Sequence, residues 1–332
     1  MNVPLTRLAV TATALALTLT ACLAPKTKDG DTASDTTSPS TTDSVPGVLQ
    51  YAPVADWEAY RFDDFPVRQF IPPDPKGLIF VYHGSNGGIG FVNKIETIAT
   101  LNALILAGIG FVATESDNRQ TGQWDTSTAS GAANVDLQRM DALYQEVIAT
   151  TDITASTPIF AMGFSNGGSF SGIFGQYALE QNWPMTGIFP HLSGCNTCSG
   201  SPVPVAYVEG ENDPQPSIDG VVSSHRDRGI PAEHFVAPEL VLDPLYFTKN
   251  PAVSDERSES TFNDLVALEL IDADGVRLVP TEEADQWTDW YGNNGTVNSP
   301  DLRAEELKVA WGLHRMNAYH AFAIRDFALE QL

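Results

Sequence analysis

Between residues 78 and 208 the apolar positions come in short unbroken runs separated by stretches of helical spacing. Leu78-Ile-Phe-Val-Tyr82 and residues 108–114, 158–163, 185–189 and 203–208 have the pattern of strands buried on both faces of a parallel sheet. Pro204 fits the last run only where no ladder N–H is needed. Between the runs, Phe91, Ile95, Ile98, Leu101, Leu104 and Ile105 recur at helical spacing, as do Val135, Met140, Leu143, Val147 and Ile148. Strand and helix therefore alternate, which predicts an α/β protein: a doubly wound, mostly parallel sheet with helices on both faces. Residues 54–71 alternate raggedly and predict one or two antiparallel edge strands, which Pro72, Pro73 and Pro75 end.

Downstream the pattern weakens. Residues 216–228 predict a helix, 232–242 an extended segment and 259–270 a helix. Residues 281–299, with Trp287, Trp290 and Tyr291, read as irregular and as part of a C-terminal insertion or cap over residues 239–300. Ser299-Pro300-Asp301 has the form of a helix start, continued over residues 305–313, and Asn317 is placed to cap the last helix.

The first residues do not belong to this fold. Arg7 precedes an uncharged apolar run over residues 8–19, too short to span a bilayer stably and laid out as an export signal. Leu19-Thr-Ala-Cys22 resembles the bacterial lipobox. That resemblance implies that residues 1–21 are a signal peptide and that Cys22 is lipidated, anchoring the exported chain to a bacterial membrane, at the outer membrane or the cell surface. A plain signal peptide with a chance cysteine is the other reading. Residues 22–47, rich in Thr, Ser, Asp and Lys, cannot bury enough apolar surface to order themselves and read as a disordered tether. Residues 48–332 show no second linker, repeat or heptad and read as one domain.

A formal net charge of -24 excludes a nucleic-acid role, because the negative surface repels phosphate, and it keeps a monomer soluble. Solubility alone and life in salty water explain that charge equally well. Cys195 and Cys198 read as a disulfide in an oxidising compartment, since a redox pair lacks a thioredoxin-like context and zinc lacks a second ligand pair. Asp272-Ala-Asp-Gly275 is turn chemistry without the later ligands of a calcium loop. Neither metal nor cofactor is expected.

The chemistry sits where apolar runs end. Residues 158–163 run into Gly163-Phe-Ser-Asn-Gly167 and then a helical segment, so Ser165 occupies a strand-turn-helix elbow that pushes its hydroxyl out over the sheet. The positive end of the following helix favours charge on an acyl oxygen. The first central strand runs into His83-Gly-Ser-Asn-Gly-Gly88, which predicts an oxyanion hole from the N–H groups of Ser85 and Asn166, with His83 fixing the loop. Trp124 either lines a substrate wall or packs its loop onto the body. Asp213 is the expected acid, on a Gly-x-x-Asp-Pro turn, while Glu209 and Glu211 look like a solvated rim and Asp219 is a further rival. His314, in a break between two helices, is the preferred base. His320 is the alternative, in a first helical turn where the dipole disfavours an imidazolium, and His191, His225 and His234 come too early.

Together these strands and motifs resemble the α/β-hydrolase superfamily over most of residues 75–332. Ser165-Asn-Gly-Gly168 and export resemble its secreted polyhydroxybutyrate depolymerase and feruloyl-esterase-like group. The resemblance implies a serine esterase that acts on a small-molecule or polymeric ester through an acyl-enzyme and needs no cofactor. The interval between Asp213 and either late histidine is longer than in compact members. A serine peptidase shares the same machinery, and a non-catalytic surface lipoprotein that binds a ligand would share the fold.

Overall fold

The computed structural model describes residues 47–215, 217–294 and 302–332. The expected signal peptide, Cys22, most of the tether and the Ser299-Pro300-Asp301 helix start lie outside the described residues.

Eight strands form one sheet: β1 (Glu58–Phe62), β2 (Phe65–Phe70), β3 (Gly77–Tyr82), β4 (Ile109–Ala113), β5 (Ile159–Phe164), β6 (Met185–His191), β7 (Val205–Gly210) and β8 (Ala232–Ala237), in the order β1-β2-β4-β3-β5-β6-β7-β8. β1 and β2 form a hairpin whose turn residues Asp63 and Asp64 take positive φ, a region aspartate tolerates better than most side chains. β2 also runs antiparallel to β4, and every other pairing is parallel. Helices α1 (Ile95–Ile105), α2 (Val135–Thr150), α3 (Asn166–Glu180) and α4 (Ile218–Asp227) connect the parallel strands. After β8 come α5 (Asp255–Ala267), α6 (Thr281–Asn294), α7 (Leu302–Ala310) and α8 (Ala321–Glu330). This is the doubly wound, mostly parallel sheet in the α/β-hydrolase strand order.

The unbroken apolar runs have a direct physical cause. In β3, Leu78, Phe80 and Tyr82 face a cluster with α2, α3 and α4, while Ile79 and Val81 face a second cluster with α1 and α8. Both faces are dry, so neither tolerates a polar residue, and each large side chain buried contributes about 1.5–3 kcal/mol. A third apolar cluster gathers residues between Leu242 and Leu313, with Phe247, Leu265, Leu307 and Trp311 at its centre.

Two expectations are corrected in this last region. Residues 281–294 form helix α6 rather than irregular chain. Glu282 and Glu283 sit in its first turn, where they complement the dipole, and Ala284 docks into the third cluster. The final helix begins at Ala321 with His320 as its N-cap, not at Asn317. Asn317 is buried with no partner for its side-chain oxygen, and the following Ala318 N–H donates to Glu96 Oε2 at 2.6 Å instead of starting a helix.

Candidate active site

The elbow is built from glycines that nothing larger replaces. A Cβ on Gly163 would lie 2.1 Å from Gly167 O, and one on Gly167 would lie 2.4 Å from His83 O. Between them Ser165 adopts φ 54, ψ -118 as the N-cap of α3, a conformation that costs a non-glycine residue roughly 1–3 kcal/mol and persists only where its surroundings enforce it. Here the enforcement is the Ser165 N–H donating to His191 O at 2.8 Å and the Ser165 carbonyl accepting from Ser169 N. Ser165 makes no side-chain cap bond to α3, so its hydroxyl is left out of the helix.

The loop after β3 packs directly on this turn: a Cβ on Gly84 would meet Phe164 Cδ1 at 2.7 Å. His83 is buried, with Nδ1 2.8 Å from Gly84 O and Nε2 accepting from Ser116 N at 3.2 Å, which assigns the proton to Nδ1. Burial holds its pKa below the ordinary histidine value. Its place is therefore that of a neutral loop clamp. The backbone N–H groups of Ser85 and Asn166, the two expected oxyanion donors, form no hydrogen bond among the described residues.

Trp124 packs its loop onto the body. It is 2% exposed, stacks on Phe170, meets Tyr82 edge-on and donates Nε1–H to His83 O at 3.0 Å. The Asn166 side chain joins the same loop, accepting from Trp124 N at 2.8 Å and donating to Trp124 O at 3.2 Å. Buried Asp136 completes it by accepting from the N–H groups of Asp117 and Asp125.

Asp213 and His314, 101 positions apart, meet through a 2.5 Å bond between Asp213 Oδ2 and His314 Nδ1. The His314 ring packs on Phe164, the residue before Ser165, with centroids 5.1 Å apart. This pairing assigns the proton to Nδ1 and leaves Nε2 with its lone pair. Ser165 Oγ and His314 Nε2 have no hydrogen bond among the described residues, and such contacts commonly close only on substrate binding. His320 is placed elsewhere: Nε2 lies 2.9 Å from Val236 O and its ring stacks on Phe235.

Of the two glutamates expected to form a solvated rim, Glu211 is exposed but Glu209 is not. Glu209 is 5% exposed, and its carboxylate accepts from Gln215 N at 2.8 Å and lies 2.9 Å from His234 Nε2. Asp219 approaches the other ring nitrogen of His234, also at 2.9 Å. Glu211 accepts from Glu239 N. None of the three rivals pairs with His314, whose partner among the described residues is Asp213.

The residues that bring Asp213 and His314 together went unread. Asn212 N donates to Gly312 O at 3.1 Å and Asn212 Nδ2 to Trp311 O at 2.8 Å. Gly210 and Gly312 touch so closely that a Cβ on the first would lie 2.1 Å from the carbonyl of the second. Gly312, at φ 63, was legible as a helix-ending glycine two residues before His314. Cys195 and Cys198 form a disulfide that rests on Gly172 of α3.

The fold is a doubly wound, mostly parallel α/β sheet with helices on both faces. No protein-family model matches the chain, and no curated protein matches it. Similar solved structures include an arylesterase at 14% identity, covering 63% of this chain and 84% of that one with a TM-score of 0.41. Est1E from Butyrivibrio proteoclasticus has 12% identity, 64% and 100% coverage and a TM-score of 0.40. A hyperthermophilic esterase from the archaeon Pyrobaculum calidifontis has 12% identity, 64% and 84% coverage and a TM-score of 0.38. Likeness of this degree carries no argument about chemistry, which rests on the geometry.

Proposed function

We propose that the protein is an exported serine hydrolase that cleaves carboxylic esters with Ser165 as nucleophile, His314 as base and Asp213 as acid. The observation that carries this reading is the coincidence of a strained serine at a strand-turn-helix elbow with an Asp-His pair whose ring rests on the elbow. His314 Nε2 takes the Ser165 proton as Oγ attacks the ester carbonyl, and the Ser85 and Asn166 N–H groups receive the oxyanion. Asp213 holds the imidazole in the Nδ1–H tautomer and stabilises the imidazolium. The imidazolium then protonates the leaving alcohol, and the same base activates water to free the acid. In this reading Cys22 carries the lipid that tethers the enzyme to the membrane.

One labelling reaction tests the core of the proposal. A fluorophosphonate probe labels wild type and not Ser165→Ala, and only wild type hydrolyses a short-chain p-nitrophenyl ester. Equal labelling of both proteins, or of neither, leaves a ligand-binding lipoprotein as the better account. Mass spectrometry of membrane-extracted protein reads the diacylglycerol on Cys22, and an unmodified soluble chain rejects the anchor.

A further inference from the structure

Two grooves flank the elbow, and their charges differ in sign. One, of about 510 Å³, has Asn166 on its wall together with Asp117, Asp125 and Asp136, and no cation lines it. The other, of about 540 Å³, runs along the Ser85 loop between Phe91 and Phe164, and is lined by Lys94, Arg315 and Glu305. Phe164 and Arg315 are the chain neighbours of Ser165 and His314, so this groove opens beside the reacting groups. Two cations against one anion is a local excess of positive charge in a chain with 18 Lys and Arg against 42 Asp and Glu.

The arrangement of the three charges leaves room for a second anion. Lys94 Nζ lies 3.2 Å and Arg315 Nε 3.0 Å from the same oxygen of Glu305, Oε2. Arg315 Nη1 donates to His314 O at 2.7 Å, which aims the guanidinium from the base's own backbone. Arg315 Nη2 makes no hydrogen bond among the described residues, and the Lys94 ammonium keeps two further donors. Burial works to raise the Glu305 pKa, but Lys94 and Arg315 outweigh it and hold the carboxyl below its usual range, so it stays ionised.

We propose that this groove binds an anionic portion of the substrate, an ester that also carries a free carboxylate, through Lys94 and Arg315. The proposal rests on the serine hydrolase reading and names its substrate class. The competing account is a plain ion-pair bridge that ties α7 to the start of α1.

The test compares kcat/KM within two matched pairs. Mono-p-nitrophenyl glutarate against p-nitrophenyl butyrate places the charge on the acyl side, and 4-acetoxybenzoate against phenyl acetate places it on the alcohol side. Wild type favours the anionic member of one pair by about tenfold, and about 0.5 M salt weakens that preference. Lys94→Met abolishes the preference, whereas Glu305→Gln, which removes the internal competitor, increases it several-fold. A structural bridge would respond to both substitutions in the same direction, because both break one contact.

The proposal is overturned if neither anionic ester is preferred, or if the two substitutions lower both members of a pair alike. Calorimetry of mono-p-nitrophenyl glutarate and of 4-acetoxybenzoate binding to Ser165→Ala, with and without Lys94→Met, separates the two readings. If no ester is cleaved yet binding is seen and is lost with Lys94→Met, the anion groove stands and the hydrolase reading falls. Absence of binding of both esters to Ser165→Ala rejects the groove whatever Ser165 does.

Discussion

Ser165 stands between β5 and α3 in the middle of the sheet, and the groups that fix it, Gly163 of β5, Gly167 of α3, the His191 carbonyl of β6 and the Gly84 loop after β3, belong to elements packed side by side. His314 stands one residue past Leu313, the last member of the third apolar cluster, and is fixed by Asp213 and the Asn212–Trp311–Gly312 contacts from the far side of an insertion. The proposed nucleophile is thus set by the main core and the proposed base by a satellite one. The difference teaches that strain can be stored safely only at the first position. A left-handed serine needs surroundings that cannot relax, whereas an imidazole needs only an orienting acid and a ring to lean on.

The largest expected effect tests the base half. His314→Ala lowers kcat by roughly 10³-fold or more in steady-state kinetics, because triad members act as a unit while the oxyanion donors remain. His320→Ala keeps most of its kcat and costs on the order of 0.5–3 kcal/mol in stability. A dead His320→Ala beside an active His314→Ala would reverse the assignment of the two loops.

The nucleophile half answers in stability. Gly163→Ala forces a Cβ within 2.1 Å of a backbone carbonyl, so the elbow or the sheet must move, at a cost of about 3 kcal/mol or more in urea unfolding. A variant that folds with full stability would show that the turn is softer than its contacts imply.

Acid should weaken the same half. His191 is fully buried, and burial first, then the neighbouring His320, pushes its pKa down from 6.5 to about 3. Between those values the unfolded chain binds a proton that the folded protein refuses. Stability from this group is therefore complete above pH 6.5 and is lost as pH falls toward 3, by about 3 kcal/mol at pH 4. His191→Phe flattens that part of the pH dependence, and NMR titration finds the wild-type His191 ring neutral at pH 5. A ring that titrates near 6.5 contradicts the burial described.

The smallest effect concerns the link between the halves. Asn212→Ala removes the side-chain hydrogen bonds to the Trp311 carbonyl and to Glu239 and the one accepted from Thr281, costing about 1 kcal/mol or more of stability. Its kcat falls by about tenfold because the Asp-His geometry loosens. Equal losses in kcat for p-nitrophenyl butyrate and in unfolding free energy would make Asn212 a structural residue only.

The two halves were also unequally legible. β3, β5 and β7 announce themselves because burial on both faces demands unbroken apolar runs, and the elbow is written in five consecutive residues. Asp213 was readable from a tight turn after an apolar strand. The contacts that deliver His314 to it cross 101 positions, and no local pattern encodes such a pairing. Helix α6 was missed because its polar composition masks the single stripe that docks on the third cluster. The start of α8 was misplaced because Asn317 has the chemistry of a cap but is buried away from the helix.

His320 acquires a different use from its bond to Val236. β8 closes one side of the sheet, and its carbonyls at Pro231 and Ala237 face β7, so those at Ala232 and Val236 face outward. Arg226 Nε donates to the Ala232 carbonyl at 2.9 Å, and His320 takes the Val236 carbonyl at the same distance. Two side chains thus occupy acceptors on a border that would otherwise template a strand from another molecule. A histidine read from sequence as a rival base thus guards a sheet edge, and His320→Ala is expected to raise the light scattering of concentrated solutions.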